Sequence, residues 1–266
     1  MSLIGENVCT FFSAIVTPNK VLWDPEIERH SELLKKFGIR NDTHRPDFVG
    51  VELIPPNYSA ESFKAIETWE FNTEQCFIPQ WYREKEAKER TLEALKEFVA
   101  NHVVFEGKKE VTDSRIFAFG MSKIVAHGSS RLKAFDISNV WAFDSSNVEA
   151  FASSKVWTFD SSNVWAYDSS KVWAFDLSEV VAACNSSHVV AHDCSHVMVS
   201  GATTVEARGS SHVVAFDSSK VEAFDISKVE AWDFSQVEAR GSSYVVSWDS
   251  SQVVPHDLSI VVRGST

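Results

Sequence analysis

Residues 137–176 read ISNVWAFD, SSNVEAFA, SSKVWTFD, SSNVWAYD and SSKVWAFD, five successive octads of one pattern. Extended both ways, the pattern fills 18 octads from Asp113, with one extra residue at Asn185, and ends irregularly in LSIVVRGST. The second position is Ser in 17 octads and Thr in one. The fourth is Val in 15 and otherwise Ile or Leu, the sixth is Ala in 14, and the eighth is Asp in 11 and Gly in five. A period this strict specifies a repeat architecture before any local propensity is weighed.

Each position has a physical cause. Ser, Val and Ala at positions two, four and six alternate with polar, charged or aromatic residues, which is the period-two pattern of a strand with one buried face. The buried set is small, so two short sheets must lie close together in a thin, flattened coil. Asp or Gly at position eight, followed by Ser-Ser, is turn chemistry: both tolerate left-handed backbone, and Asp and Ser bond nearby amides. The exchange of Asp for Gly points to a backbone role rather than a charge role.

One octad cannot close a coil. Taking the fifth residue of every second octad gives Val125, Trp141, Trp157, Trp173, Val190, Glu206, Glu222, Glu238 and Val254, in which like residues fall together. Every third octad scatters them. The expected fold is therefore mostly β, a β-solenoid of two octads (16 residues) per coil. About nine coils at a strand spacing of about 4.8 Å make a rod of roughly 43 Å, its stability nearly additive from coil to coil.

Residues 1–112 lack the octad and read as a small α+β domain, leaving 113–266 to the solenoid. Phe11–Thr17 and Phe48–Ile54 look like strands. Asp24-Pro25-Glu26 signals a helix start, with Leu33, Leu34 and Phe37 inside the helix and Gly38 ending it. A short helix is expected near Glu61–Trp69. Another, over Arg83–Val99, buries Leu92, Leu95, Phe98 and Val99. An exposed sheet edge would pair with other chains, so this domain is expected to cap the first coil. Pro255 and Arg263, in place of interior Ala, are expected to blunt the far edge.

Net charge is −12, divided as −5 over residues 1–112 and −7 over 113–266. Neither half offers the basic field that a nucleic-acid groove requires. No run reaches the apolar length of a membrane span, and MSLIGENVCTFF lacks the order of a secretory signal. The expected location is cytoplasmic or virion-associated. Cys9, Cys76, Cys184 and Cys194 share no metal-ligand spacing and read as reduced thiols.

The repeat S-S-x-V-x-A-x-[DG] resembles that of octapeptide-repeat proteins found among phage and gut-bacterial sequences. Thr73–Phe98, TEQCFIPQWYREKEAKERTLEALKEF, is similar to the leader of such proteins. The resemblance implies a repeat architecture and a phage-related setting, and it transfers no catalytic residue.

The leading candidate surface is aromatic. With two faces per coil, Trp141, Trp157 and Trp173 project outward from one face beside Phe143, Phe159 and Phe175. A block of outward rings suits a protein contact, most simply self-association. It would also suit a stabilising ladder or a carbohydrate platform. The other face, with Phe135, Phe151, Trp165, Tyr167, Phe216, Trp232 and Trp248, is broken by Lys133 and Glu149. Glu206, Glu222 and Glu238 beside Arg208 and Arg240 read as a solvated face, or as an acidic decoy surface for a host protein, in the manner of a DNA mimic. His196 and His212, one coil apart with His188 nearby, lack a third ligand for a metal. His30, His44, Asp42 and Asp47 have no spacing that ties them to Cys9 or Cys76. The chain has no nucleophile elbow, P-loop, dinucleotide-binding glycines or H-E-x-x-H, and no calcium-type G-G-x-G-x-D turn. The expectation is a non-enzymatic structural or interaction protein without cofactor or metal.

Overall fold

The computed structural model describes residues 11–40, 47–75, 77–183 and 186–264. The chain divides into two units, Met1–Val103 and Val104–Thr266. Among the described residues, no helix is long and apolar enough to cross a membrane.

In the first unit, strands β1 (Phe12–Val16), β2 (Val21–Leu22), β3 (Val49–Ile54) and β4 (Glu70–Thr73) form an antiparallel sheet in the order β2-β1-β3-β4. Helices α1 (His30–Lys36), α2 (Ala60–Lys64) and α3 (Glu84–His102) complete it. Both expected strands are present. Helix α1, however, begins at His30 and not at Asp24. The Asp24 carboxylate accepts the Glu26 amide at 2.9 Å and the Asp24 carbonyl accepts that of Ile27 at 3.2 Å, so the Asp-Pro signal is spent on a local turn. Gly38 ends the helix as expected, at φ +66°. Ser59 caps α2 by accepting the Ser62 amide, and a 3-10 turn, Ile66–Thr68, follows that helix. Helix α3 buries Ala87, Thr91, Ala94, Leu95 and Phe98, with Leu92 and Val99 at the margin of that stripe. Phe11 packs edge-on against Phe63, Trp69 and Phe98 at 4.8 to 5.5 Å between centroids.

The second unit is a β-solenoid of about ten turns. Its strands occupy positions three to six of the octads, as in Asn139–Ala142 and Asn147–Ala150. Strands alternate between two parallel sheets, one of ten strands from Lys108–Thr112 to Gln252–Pro255 and one of eleven ending at Ile260–Arg263. Register confirms 16 residues per coil: Val140 pairs with Val156, and Val156 with Val172. The ladder starts upstream of the first octad, because Lys108–Thr112 pairs with Lys123–His127 although its sequence does not follow the pattern. The extra residue near Asn185 is absorbed inside a strand. Val164 faces Val180, but Trp165 faces Ala182 and Ala166 faces Ala183, a bulge in Glu179–Ala183.

The interior holds the small even positions. Val140, Ala142, Val148 and Ala150 are wholly buried, as are the second-position serines from Ser122 to Ser243. The corner explains the rest of the pattern. The seventh-position carbonyl accepts the amide three residues on, as in Ser146 to Phe143 at 3.2 Å. The eighth residue between them takes positive φ, near +57° at Asp160 and +62° at Gly209. A left-handed residue with a Cβ costs about 1–2 kcal/mol. Asp offsets this cost: in ten corners its carboxylate accepts the corner amide of the preceding coil at 2.8 to 3.5 Å. The Asp thus has both a conformational and a charge-assisted role; the expected bond to a nearby amide is present, and the amide is that of the preceding coil. Asp217 shows both ends of the chain of bonds. Its carboxylate accepts the Gly201 amide at 3.0 Å, and its own amide donates to Asp233 at 3.2 Å.

Two predictions follow from the corner. Asp217→Ala keeps the strain and loses the carboxylate, so it should lower stability by about 1–2 kcal/mol, and Asp217→Gly by less, in urea denaturation. The interior serines should divide into two groups. Ser219 donates its hydroxyl to the Phe216 carbonyl at 2.7 Å, whereas the Ser154 hydroxyl is buried without a partner. Ser219→Ala should cost about 1 kcal/mol and Ser154→Ala should be neutral or stabilising.

Candidate functional site

The in-register parallel sheets set the geometry of the outer surface. Odd positions point outward and recur every coil, so like side chains stack in columns. Trp141, Trp157 and Trp173 form one column, with centroids 4.9 and 4.8 Å apart and planes within 8°. Beside it Phe143, Phe159 and Phe175 stack at 4.8 and 5.0 Å. His127 and His192 continue that stack at its two ends, at 5.1 and 4.9 Å. All six expected residues therefore lie on one sheet, facing outward. Face-to-face stacking leaves each only partly exposed. The rings present their edges to solvent, while their faces are taken up by one another. On the other flank of the tryptophans runs a third-position column of Lys123, Asn139, Lys155 and Lys171.

The opposite sheet carries its own stack, Phe105, Phe119, Phe135, Phe151 and Tyr167, and further along Phe216, Trp232 and Trp248. The expected interruption is an ion pair, Lys133 to Glu149 at 3.0 Å. Trp165 faces Glu149 on one side and Ala182 on the other, so no tryptophan column forms there.

Beyond Trp173 the first sheet becomes polar. Glu206, Glu222 and Glu238 line a shallow groove of about 310 Å3 with Lys220, Gln236 and Val254. Arg208 donates to Glu206 at 2.9 Å and lies 4.9 Å over the Phe224 ring. Arg240 donates to Glu238 at 2.7 Å. Two of the three carboxylates are thus paired with an arginine of their own strand end. His196 and His212 meet edge to face at 5.5 Å, and His212 lies 3.5 Å from Glu230. His188 bonds Thr204 at 2.8 Å.

One cluster in the first unit was not legible as such in the sequence. His30, at the start of α1, meets Glu52 of β3 and Glu74, just past β4. The ligand-capable atoms of all three lie within 4.8 Å of one another. Burial first, and then the neighbouring Glu52 carboxylate, raise the Glu74 carboxyl above its ordinary range. Sequence reasoning named His30 but set it beside Asp47, which is exposed. His44, Asp42, Cys9, Cys76 and Cys184 lie outside the described residues. Cys194 is a free, exposed thiol. The usable signal was Gly50, a glycine inside a strand of Val, Glu, Leu and Ile, where close approach by another group is the usual reason.

The tryptophan column generates a prediction of its own. Trp157 has a ring on either side and Trp141 has one, and an aromatic pair is worth about 0.5–1.5 kcal/mol beyond burial. Trp157→Ala should therefore destabilise more than Trp141→Ala. A double-mutant cycle between them should return a coupling of about 1 kcal/mol in urea denaturation.

Comparison with protein-family models, curated proteins and solved structures gives no match to this chain.

Proposed function

We propose that this chain is a non-enzymatic structural and interaction protein, a stiff solenoid that uses the Trp141–Trp157–Trp173 column and the adjoining Phe143, Phe159 and Phe175 for protein contact. The contact is most simply with a second copy. The observation that carries this reading is the lateral order of columns on one sheet: Asn139, Lys155 and Lys171, then the tryptophans, then the phenylalanines, then the corner aspartates Asp144, Asp160 and Asp176. A two-fold axis running along the rod in the plane of contact reverses that order in the partner. Tryptophan edges then meet tryptophan edges, and Lys155 and Lys171 of one copy lie over the phenylalanines and corner carboxylates of the other. Closed two-fold pairing of one patch with itself is the commonest route to an oligomer.

A carbohydrate platform draws less support, because sugars pack on open ring faces and here the faces are occupied by neighbouring rings. An acidic decoy also draws less. Most corner carboxylates accept backbone amides, and Glu206 and Glu238 are paired with arginines. A phage-related setting rests on the resemblance of the repeat.

Sedimentation equilibrium on the full chain tests the reading. The wild type should dimerise at micromolar concentration. Trp141→Ser/Trp157→Ser/Trp173→Ser should be monomeric while keeping its β-sheet circular dichroism. A wild type that stays monomeric at every concentration, or a folded triple variant that still dimerises, would remove the proposed surface.

A further inference from the structure

The cluster of His30, Glu52 and Glu74 has the features of a built ligand set. Strand β3 points Gly50 and Glu52 to the same side, as period two requires. Helix α1 lies across that side and buries Leu33 and Leu34 with Ile15 and Phe48. A Cβ on residue 50 would come within 3.3 Å of the His30 ring, so the glycine makes the seat in which the imidazole rests. Glu74 is aligned with Gly50 by its amide, which donates to the Gly50 carbonyl at 2.9 Å.

The imidazole is oriented as well as seated. His30 Nε2 lies 3.0 Å from the Val51 carbonyl, an acceptor only, so this nitrogen carries the proton. Nδ1 is left to face Glu74 Oε2 at 3.4 Å. A charge-assisted hydrogen bond would measure about 2.7–2.9 Å. Two ligands of one tetrahedral zinc, at bond lengths near 2.0–2.1 Å, sit about 3.3 Å apart. The observed separation fits a shared cation better than a shared proton. A backbone carbonyl fixing the tautomer of a ligating histidine is also the usual outer-shell arrangement.

Glu52 supplies an independent observation. The residue is only 5% exposed, and Ser13 Oγ lies 3.4 Å from its carboxylate. The single Ser13 hydroxyl hydrogen is committed to the Glu28 carbonyl at 2.7 Å. A buried carboxylate is thus aimed into the cluster, where its other neighbour is the Glu74 carboxyl, hydrogen-bonded to it; two carboxylates sharing one site are costly to ionise together unless a cation lies between them.

We infer that His30, Glu52 and Glu74 bind a divalent first-row transition-metal ion of the zinc or manganese type. One imidazole nitrogen and two carboxylate oxygens suit that class better than calcium, which takes six to eight oxygen ligands. Three protein ligands, with Glu74 partly exposed, leave room for water at the remaining position. In a small sheet with an aromatic core such an ion would tie α1 to β3 and to the chain beyond β4.

The test uses the full chain, treated with EDTA, then titrated calorimetrically with zinc chloride and with manganese chloride, with magnesium chloride as control. One equivalent of zinc or manganese should bind and raise the melting temperature, and EDTA should reverse both effects. Glu74→Gln, at a partly exposed position, and Glu52→Gln should each stay folded and weaken binding by at least about tenfold. His196→Gln/His212→Gln should bind like wild type. The inference is overturned if neither metal gives saturable binding, or if affinity survives in Glu74→Gln. It is equally overturned if binding disappears with the two solenoid histidines.

Discussion

The structure of the solenoid depends on one constraint: the backbone must reverse between two sheets only a valine and an alanine apart, every eight residues. Among the described residues that reversal places a left-handed residue at the eighth position, Asp or Gly with positive φ and once Ala152. Left-handed backbone is unfavourable for residues with a Cβ, so the cost recurs at every Asp corner. It is offset where the Asp carboxylate reaches back to the corner amide of the preceding coil, as Asp160 does to Asp144 and Asp225 to Gly209. A single coil would carry the strain without that bond. Closure and stacking are therefore one cooperative event, which is the physical basis of nearest-neighbour stability in repeat proteins.

Exact repetition of the coil has a second consequence. Whatever side chain occupies an outward position is placed directly over its counterpart in the next coil. For aromatic rings this favours parallel stacking, and Trp141 to Trp173 adopt it with planes within 8°. For like charges it is unfavourable, and the chain compensates locally. Lys133 lies over Glu149, Arg208 and Arg240 turn back to Glu206 and Glu238, and Arg208 also covers Phe224. The surface is thus governed by the same register that builds the core.

These features were legible in the sequence to unequal degrees, for physical reasons. The period-two alternation and the turn residues are local, and the coil length was legible because Trp and Glu recur at 16-residue steps. The carboxylate's bond to the preceding coil was hidden, because a pattern that exchanges Asp for Gly reports only the shared requirement, left-handed φ. The absorption of the extra residue was also hidden. Asn185 breaks the written octads, yet the backbone takes up the slack upstream, between Val180 and Ala183. In the first unit Asp24-Pro25 carried a helix signal that a competing turn used instead. Glu52 and Glu74 lie 22 residues apart and meet only because β3 and β4 pair in one register. Such a site depends on tertiary pairing, and no spacing rule reveals it.

The outward aromatics separate into two kinds when the columns are compared along the rod. The seventh position, next to the corner, is stacked on both sheets over much of their length. It holds Phe119 to Tyr167 and Phe216 to Trp248 on one sheet, and His127 to His192 followed by Arg208 over Phe224 on the other. A feature spread along both sheets belongs to the repeat rather than to one patch. Phe143, Phe159 and Phe175 belong to that series. The fifth position differs. Its tryptophans stack in three coils of one sheet alone; Trp165 of the other sheet has no tryptophan neighbour, and elsewhere the same position holds Val, Glu, Lys, Met or Phe in coils with the same closed interior. Coil stability does not call for Trp141, Trp157 and Trp173 where Val190 and Glu206 serve. Their confinement to one patch, beside Phe143, Phe159 and Phe175, is the feature on which the proposed contact surface rests.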